Sequence, residues 1–138
     1  MSLHADSSQH TVSVHHGWFY GRPEQLAFVR AFVADRLGDL PMVDDAVLLT
    51  SELATNAVQH TPSNLPEAGF GVLIEHEHGH RVRVTVHDGG SFFDAPYVAH
   101  PEPDAEHGRG LFLVDALATS WGSFVTLSGR KTWFEIEA

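Results

Sequence analysis

The sequence predicts an α+β fold, a two-layer sandwich with a mostly antiparallel sheet and helices on one face. Two observations predict it. Two long segments carry apolar residues at helical spacing. Strand-like segments adjoin one another directly across short polar turns, as hairpins do, with no helix between them.

Residues 1–11 read as a frayed polar tail, and the flexible N-terminal region is drawn at 1–15, with a single domain over 16–138. Alternation in Thr11-Val12-Ser13-Val14 and the aromatics Trp18-Phe19-Tyr20 mark an opening strand. Pro23 suits the first turn of a helix, because its fixed φ is helical and its missing N–H has no helical acceptor there. Leu26, Val29, Val33 and Leu37 then repeat at helical spacing, and Gly38 stops the run. A second helix is expected from about Met42 to His60, with Val47, Leu48, Ser51, Ala54 and Val58 as its apolar face and Pro62 closing it. Residues 61–69 read as a polar loop. Gly71–Glu75 and Arg81–His87 read as two strands joined by a turn over His76–His80.

From Gly89 to His107 there is no clear period, but there are three prolines and several acids. A segment this long without structure of its own in a small domain suggests a functional lid, drawn at about 91–107, or a disordered stretch. Gly108-Arg109-Gly110 then opens an apolar helix expected over Leu111–Ala118 and buried on all sides. A last hairpin pairs Phe124–Leu127 with Thr132–Ile136.

Composition narrows the function. The chain has 138 residues, 43% of them hydrophobic, which suits one globular domain and not a disordered chain. Eight basic residues against 18 acidic ones give a net charge of −10. Sequence-independent binding to nucleic acid or to an anionic membrane surface is therefore disfavoured. The absence of Cys excludes disulfides, thiolate metal sites and a thiol nucleophile. The polar N-terminus lacks a signal-peptide pattern, and no apolar run reaches the roughly 18 to 20 residues of a membrane span. The expectation is a cytoplasmic domain.

Three motifs carry chemistry. Glu52, Asn56 and His60 stand at i, i+4 and i+8, so one helix stripe holds all three. A plain solvent-facing stripe explains that spacing, but the usual Lys or Arg partners are missing. An Asn amide oxygen is a hard ligand suited to Mg²⁺, and a carboxylate one turn away can accept a proton. Next, a strand ends in Asp88-Gly89-Gly90. This is turn chemistry, or else an acceptor facing a pocket with glycines that admit a ligand. Finally, Gly108-Arg109-Gly110 precedes a helix, where open N–H groups attract phosphate. Flexible glycines ending a loop would look the same. No P-loop pattern is present. In this order the motifs describe one nucleotide site: Asp88 for an adenine amino group, Asn56 for Mg²⁺, the glycine turn for phosphates and the lid above them.

The run Glu52-Leu53-Ala54-Thr55-Asn56-Ala57-Val58-Gln59-His60 resembles the N box of the GHKL ATPases, which include the ATP-binding domains of histidine kinases and gyrase. Asp88-Gly89-Gly90 resembles their first glycine box and Gly108-Arg109-Gly110-Leu111 their second. The stretch from Gly108 to Trp121-Gly122 is most similar to the small anti-sigma-factor serine kinases, and the resemblance extends over roughly residues 18 to 136.

It implies a GHKL-type ATP-binding fold, with ATP and Mg²⁺ as cofactors. Asn56 would hold the Mg²⁺, and Asp88 the adenine amino group. Gly90, Gly108 and Gly110 would give backbone access to phosphate, with Arg109 and Leu111 beside them. Thr132 would join the adenine-side network. Glu52 would be the catalytic base. The implied activity is transfer of phosphate to a Ser or Thr of an anti-sigma-factor antagonist, with a sigma factor as a further partner and room for a homodimer. Two positions depart from the family pattern: Phe92 and Glu106 stand where glycines are usual.

A nucleotide-binding module that sequesters a partner without phosphoryl transfer is the alternative. A complete sensor histidine kinase is not expected from this length, whereas a detached catalytic domain of one stays open. Separately, His76, Glu77, His78 and His80 invite a metal site, set against a solvated turn tip.

Overall fold

A computed structural model of the chain describes residues 11–61, 65, 67–77, 79–88, 96–97, 107–127 and 129–138, the side chains of 96–97 and 107–110 excepted. Its elements in order are β1 (Val12–Tyr20), a 3-10 turn (Pro23–Gln25), α1 (Leu26–Leu37), α2 (Val43–His60), β2 (Gly69–Glu77), β3 (Arg81–Asp88), β4 (Pro96–Tyr97), α3 (His107–Leu117), β5 (Ser120–Thr126) and β6 (Arg130–Glu137). Six strands form one sheet in the order β1-β2-β3-β6-β5-β4, and every pairing between them is antiparallel. The expected α+β sandwich is the observed one. No described helix is long and apolar enough to cross a membrane.

Alternation decides which sheet face is covered. Along β3, Val82, Val84 and Val86 are buried and pair sideways with His76, Ile74 and Val72 of β2 and with Ile136, Phe134 and Thr132 of β6. This row packs on the buried stripe Val29, Val33 and Leu37 of α1 and on α2, and Val114 of α3 joins the same core. Residues of the other phase, such as Val14, Trp18 and Tyr20 of β1, stay exposed. α1 stops at Gly38, whose φ of 59° is left-handed and whose N–H still reaches Ala34 O at 2.9 Å. A side chain there would be strained, so glycine ends the helix cheaply.

Several boundaries and faces differ from the sequence reading. β1 begins at Val12, so residues 12–15 belong to the sheet. The buried face of α2 is Ala46, Leu49, Thr50, Leu53, Ala54 and Ala57, while Leu48 is 41% exposed. The expected face was rotated, because apolar residues occupy 46 to 49 without a break and spacing alone could not choose among them. β2 runs on through His76 and Glu77. His76 is half-buried and stacks on His15 of β1 at 5.7 Å, so the turn tip begins beyond Glu77. Among the described residues no group of three His, Asp or Glu is placed to hold a metal, and His78 lies outside them. α3 starts at His107, earlier than expected, and is not buried all round: Phe112 is 72% exposed. An apolar composition had suggested full burial, but only Val114 is enclosed.

Candidate functional site

A narrow cleft lies between α2 and the covered face of the sheet. Leu53, Asn56 and Ala57 of α2 form one wall, Val86, Asp88, Ser123, Arg130 and Thr132 of β3, β5 and β6 the other, and Leu111 of α3 closes a side. The space between these walls, open solvent at its mouth included, is about 310 Å³. The walls stand close together, so the cleft is a slot and not an open bowl.

Each polar group is there because of its element's period. Asn56 follows Leu53 by one helical turn, so it shares the cleft side of α2 while Leu53 anchors in the core. Asp88 has the same phase as Val82, Val84 and Val86, which turns it toward the helices at the strand end. Arg130 pairs with Asp88 and Val125, and Thr132 pairs with Val86 and Ser123, so two rows cross the strands side by side.

The carboxylate is held firmly. The Arg130 backbone N–H donates to Asp88 Oδ1 at 2.8 Å, which leaves Oδ2 for a ligand. Gly129 lies against the Asp88 carbonyl so closely that a Cβ would fall 1.8 Å from its oxygen. On the other sheet face the fully buried His87 ring meets Thr126 Oγ1 at 3.3 Å, and that hydroxyl donates to Gly129 O at 2.9 Å. Thr126 uses its one proton on Gly129, so His87 Nε2 is the donor between the two. These contacts fix the β5–β6 turn onto the end of β3.

A chain of side-chain hydrogen bonds completes the strand wall. Arg130 Nη1 donates to Ser123 Oγ at 3.2 Å, and Ser123 Oγ meets Thr132 Oγ1 at 3.0 Å. Of the residues singled out from the sequence, the structure brings together Asn56, Asp88, Leu111 and Thr132. Glu52 is half-buried one turn before Asn56, outside the cleft lining. His60 is exposed at the helix end. Gly90 lies outside the described residues. Gly108, Arg109 and Gly110 lie within the first turn of α3, their side chains outside the described part. Asp115 accepts from Trp121 Nε1 at 2.9 Å, a surface contact.

Ser123 and Arg130 were missed. A signal existed for Arg130, which stands two residues before Thr132 on one strand and so shares its face. Ser123 joins them only through the β5–β6 register.

Asn56 fits a Mg²⁺ ion: it is half-buried and offers an amide oxygen on a cleft wall. One protein ligand is enough for an ion that keeps several waters and binds phosphate oxygens.

Residues 19–134 match the family described as histidine kinase-like ATPase domain. No curated protein sequence matches the chain. Among solved structures, the RsbU and RsbW domains of Rv1364c from Mycobacterium tuberculosis are similar in fold, with a TM-score of 0.66 and 18% identity. The likeness covers 91% of this chain and 32% of that one, so the chain spans about a third of its length.

Proposed function

The chain belongs to the histidine kinase-like ATPase domain family, and from that premise we propose that it binds Mg-ATP and acts as an anti-sigma-factor-like serine/threonine kinase. It regulates transcription through protein partners in the cytoplasm, an anti-sigma-factor antagonist or a sigma factor among them. The observation that carries this reading is the meeting of Asn56, Asp88 and Thr132 on the walls of one cleft.

Each group has a task its chemistry suits. Asp88 Oδ2 accepts from the adenine amino group, since Oδ1 is taken. Leu53, Ala57, Val86 and Leu111 cover the base faces. Asn56 holds Mg²⁺, which when bound neutralises phosphate charge. The first turn of α3, with Gly108, Arg109 and Gly110, turns N–H groups without helical acceptors toward phosphate. Gly90 gives the strand end its backbone access. Glu52 stands beside the cleft, on the stripe of Asn56, where a base can serve a hydroxyl delivered by another protein.

Thermal unfolding with ATP, with and without Mg²⁺, tests the nucleotide site. At 100 times its dissociation constant the ligand should stabilise by about 2.7 kcal/mol, and an unmoved transition under both conditions would refute the reading. Phosphate transfer to a partner, lost in Glu52→Ala, tests the kinase. The position of Glu52 outside the cleft lining favours a second reading, a module that binds nucleotide and sequesters its partner without transfer. Binding without turnover in the presence of the partner selects it.

A further inference from the structure

We propose that Arg130 and Ser123 are positioning residues that make this cleft select a 6-aminopurine over a 6-oxopurine, by fixing the direction of the Thr132 hydroxyl. The inference rests on the nucleotide reading above and adds what sets the choice of base. A guanidinium has only donors, so in the 3.2 Å contact with Arg130 Nη1 the Ser123 oxygen is the acceptor. A hydroxyl that accepts from a cation is polarised and becomes the stronger donor of a pair. Ser123 therefore donates across the 3.0 Å contact to Thr132 Oγ1. The Thr132 proton is then free, and the residue lines the cleft. The chain runs one way, from Arg130 through Ser123 to Thr132 and into the cleft.

The same cleft wall also holds an acceptor, one same-face strand position on from that donor and across the β3–β6 pair. Asp88 Oδ1 is occupied by the Arg130 N–H, and Oδ2 can only accept. Arg130 thus serves both halves: its backbone clamps the carboxylate, and its side chain orients the hydroxyls. A cleft that offers both an acceptor and a donor matches the edge of a 6-aminopurine, where an amino group adjoins the bare ring nitrogen N1. A 6-oxopurine presents the reverse, a carbonyl oxygen next to N1–H. It meets the carboxylate with lone pairs and the Thr132 proton with a proton. If the relay is cut, Thr132 can rotate and accept from N1–H, so only the clash at Asp88 remains. Sites built around a fixed hydrogen-bond pattern reject the wrong pattern more strongly than they gain from the right one.

Calorimetric titration of the full chain with Mg-ATP and Mg-ITP measures the preference directly. The wild type should prefer ATP. Ser123→Ala and Arg130→Met should each lower the ATP:ITP ratio by roughly two- to tenfold, about one hydrogen bond's worth. The double variant should fall no further than either single one, because the links act in series. Ser123→Thr, which keeps the hydroxyl, should retain the wild-type ratio and guards against a variant that merely loosens the hairpin. If the wild type takes ATP and ITP equally, or if both cut variants keep its ratio, the relay is wrong while the nucleotide site stands. If the wild type binds neither nucleotide, the reading of the site fails and the relay with it.

Discussion

In the proposed reading Asp88 carries the choice of base. Its carboxylate is buried from one side by a backbone N–H and open from the other. Asp88→Asn keeps one oxygen and replaces the other with an NH₂ donor, which faces the ligand's own donor. Hydrogen bonds to charged groups contribute about 1.5–3 kcal/mol, so ATP should bind roughly ten- to a hundredfold more weakly by titration. An unchanged affinity would place the base elsewhere. Asn56→Ala separates the other function. It should remove the gain in thermal stabilisation that Mg²⁺ adds to ATP while leaving Mg²⁺-free binding nearly intact, and equal losses under both conditions would mean that Asn56 holds the nucleotide and not the ion. Gly129 supports both experiments structurally. A methyl group there would fall on the Asp88 carbonyl, which cannot move without breaking the β3–β6 ladder. Gly129→Ala should therefore destabilise the fold by about 1–3 kcal/mol in urea unfolding and weaken ATP as well.

At the scale of elements, α2 links core and site. Its Leu49, Leu53 and Ala57 face the sheet, and Asn56 comes with them onto the cleft wall because it follows Leu53 by three residues, about 60° round the cylinder. The rotation of α2 is thus a functional quantity, and a pair of truncations measures it. Leu49→Ala removes a side chain with no exposure and should cost about 2–5 kcal/mol. Leu48→Ala removes one that is 41% exposed and should cost well under half as much. Equal losses by urea unfolding would mean the helix is turned toward the face read from sequence. That comparison also marks how far the sequence could be read. The Glu52–Asn56 stripe, the Asp88 strand end and the antiparallel plan were legible because each is a local pattern with a short period. The rotation of α2 was not, since Ala46, Val47, Leu48 and Leu49 are all apolar and only the sheet decides which two go inside. The full burial expected of α3 failed for a related reason: Phe112 and Leu117 are apolar by composition yet exposed, Leu111 and Leu113 are only partly covered, and Val114 is the one described residue of the helix fully enclosed in the core. Ser123 and Arg130 depend on strand register between segments distant in sequence, which no local pattern carries.

The whole molecule sets an electrostatic problem that the site has to solve locally. A chain with a net charge of −10 repels a polyanion at every distance that salt does not screen. Within the described cleft the cationic side chain is Arg130, and its guanidinium is engaged with Ser123. On the proposed reading, ATP would be held by short-range contacts, hydrogen bonds at Asp88 and Thr132, N–H groups at the start of α3 and Mg²⁺ at Asn56, while the rest of the surface opposes it. Salt separates the two contributions, because the Debye length falls to about 10 Å at 0.1 M and shortens further above it. Repulsion from the distant surface is screened, whereas contacts inside the cleft are screened far less. Mg²⁺-free ATP should consequently bind more tightly as NaCl rises from low to physiological concentration, the opposite of a site built on a basic patch. Mg-ATP, with less charge to repel, should show a shallower rise. Titrations of both forms over that salt range give the sign directly. Affinity that falls with salt for Mg²⁺-free ATP would mean that basic groups, and not neutral N–H donors and the ion, hold the phosphates.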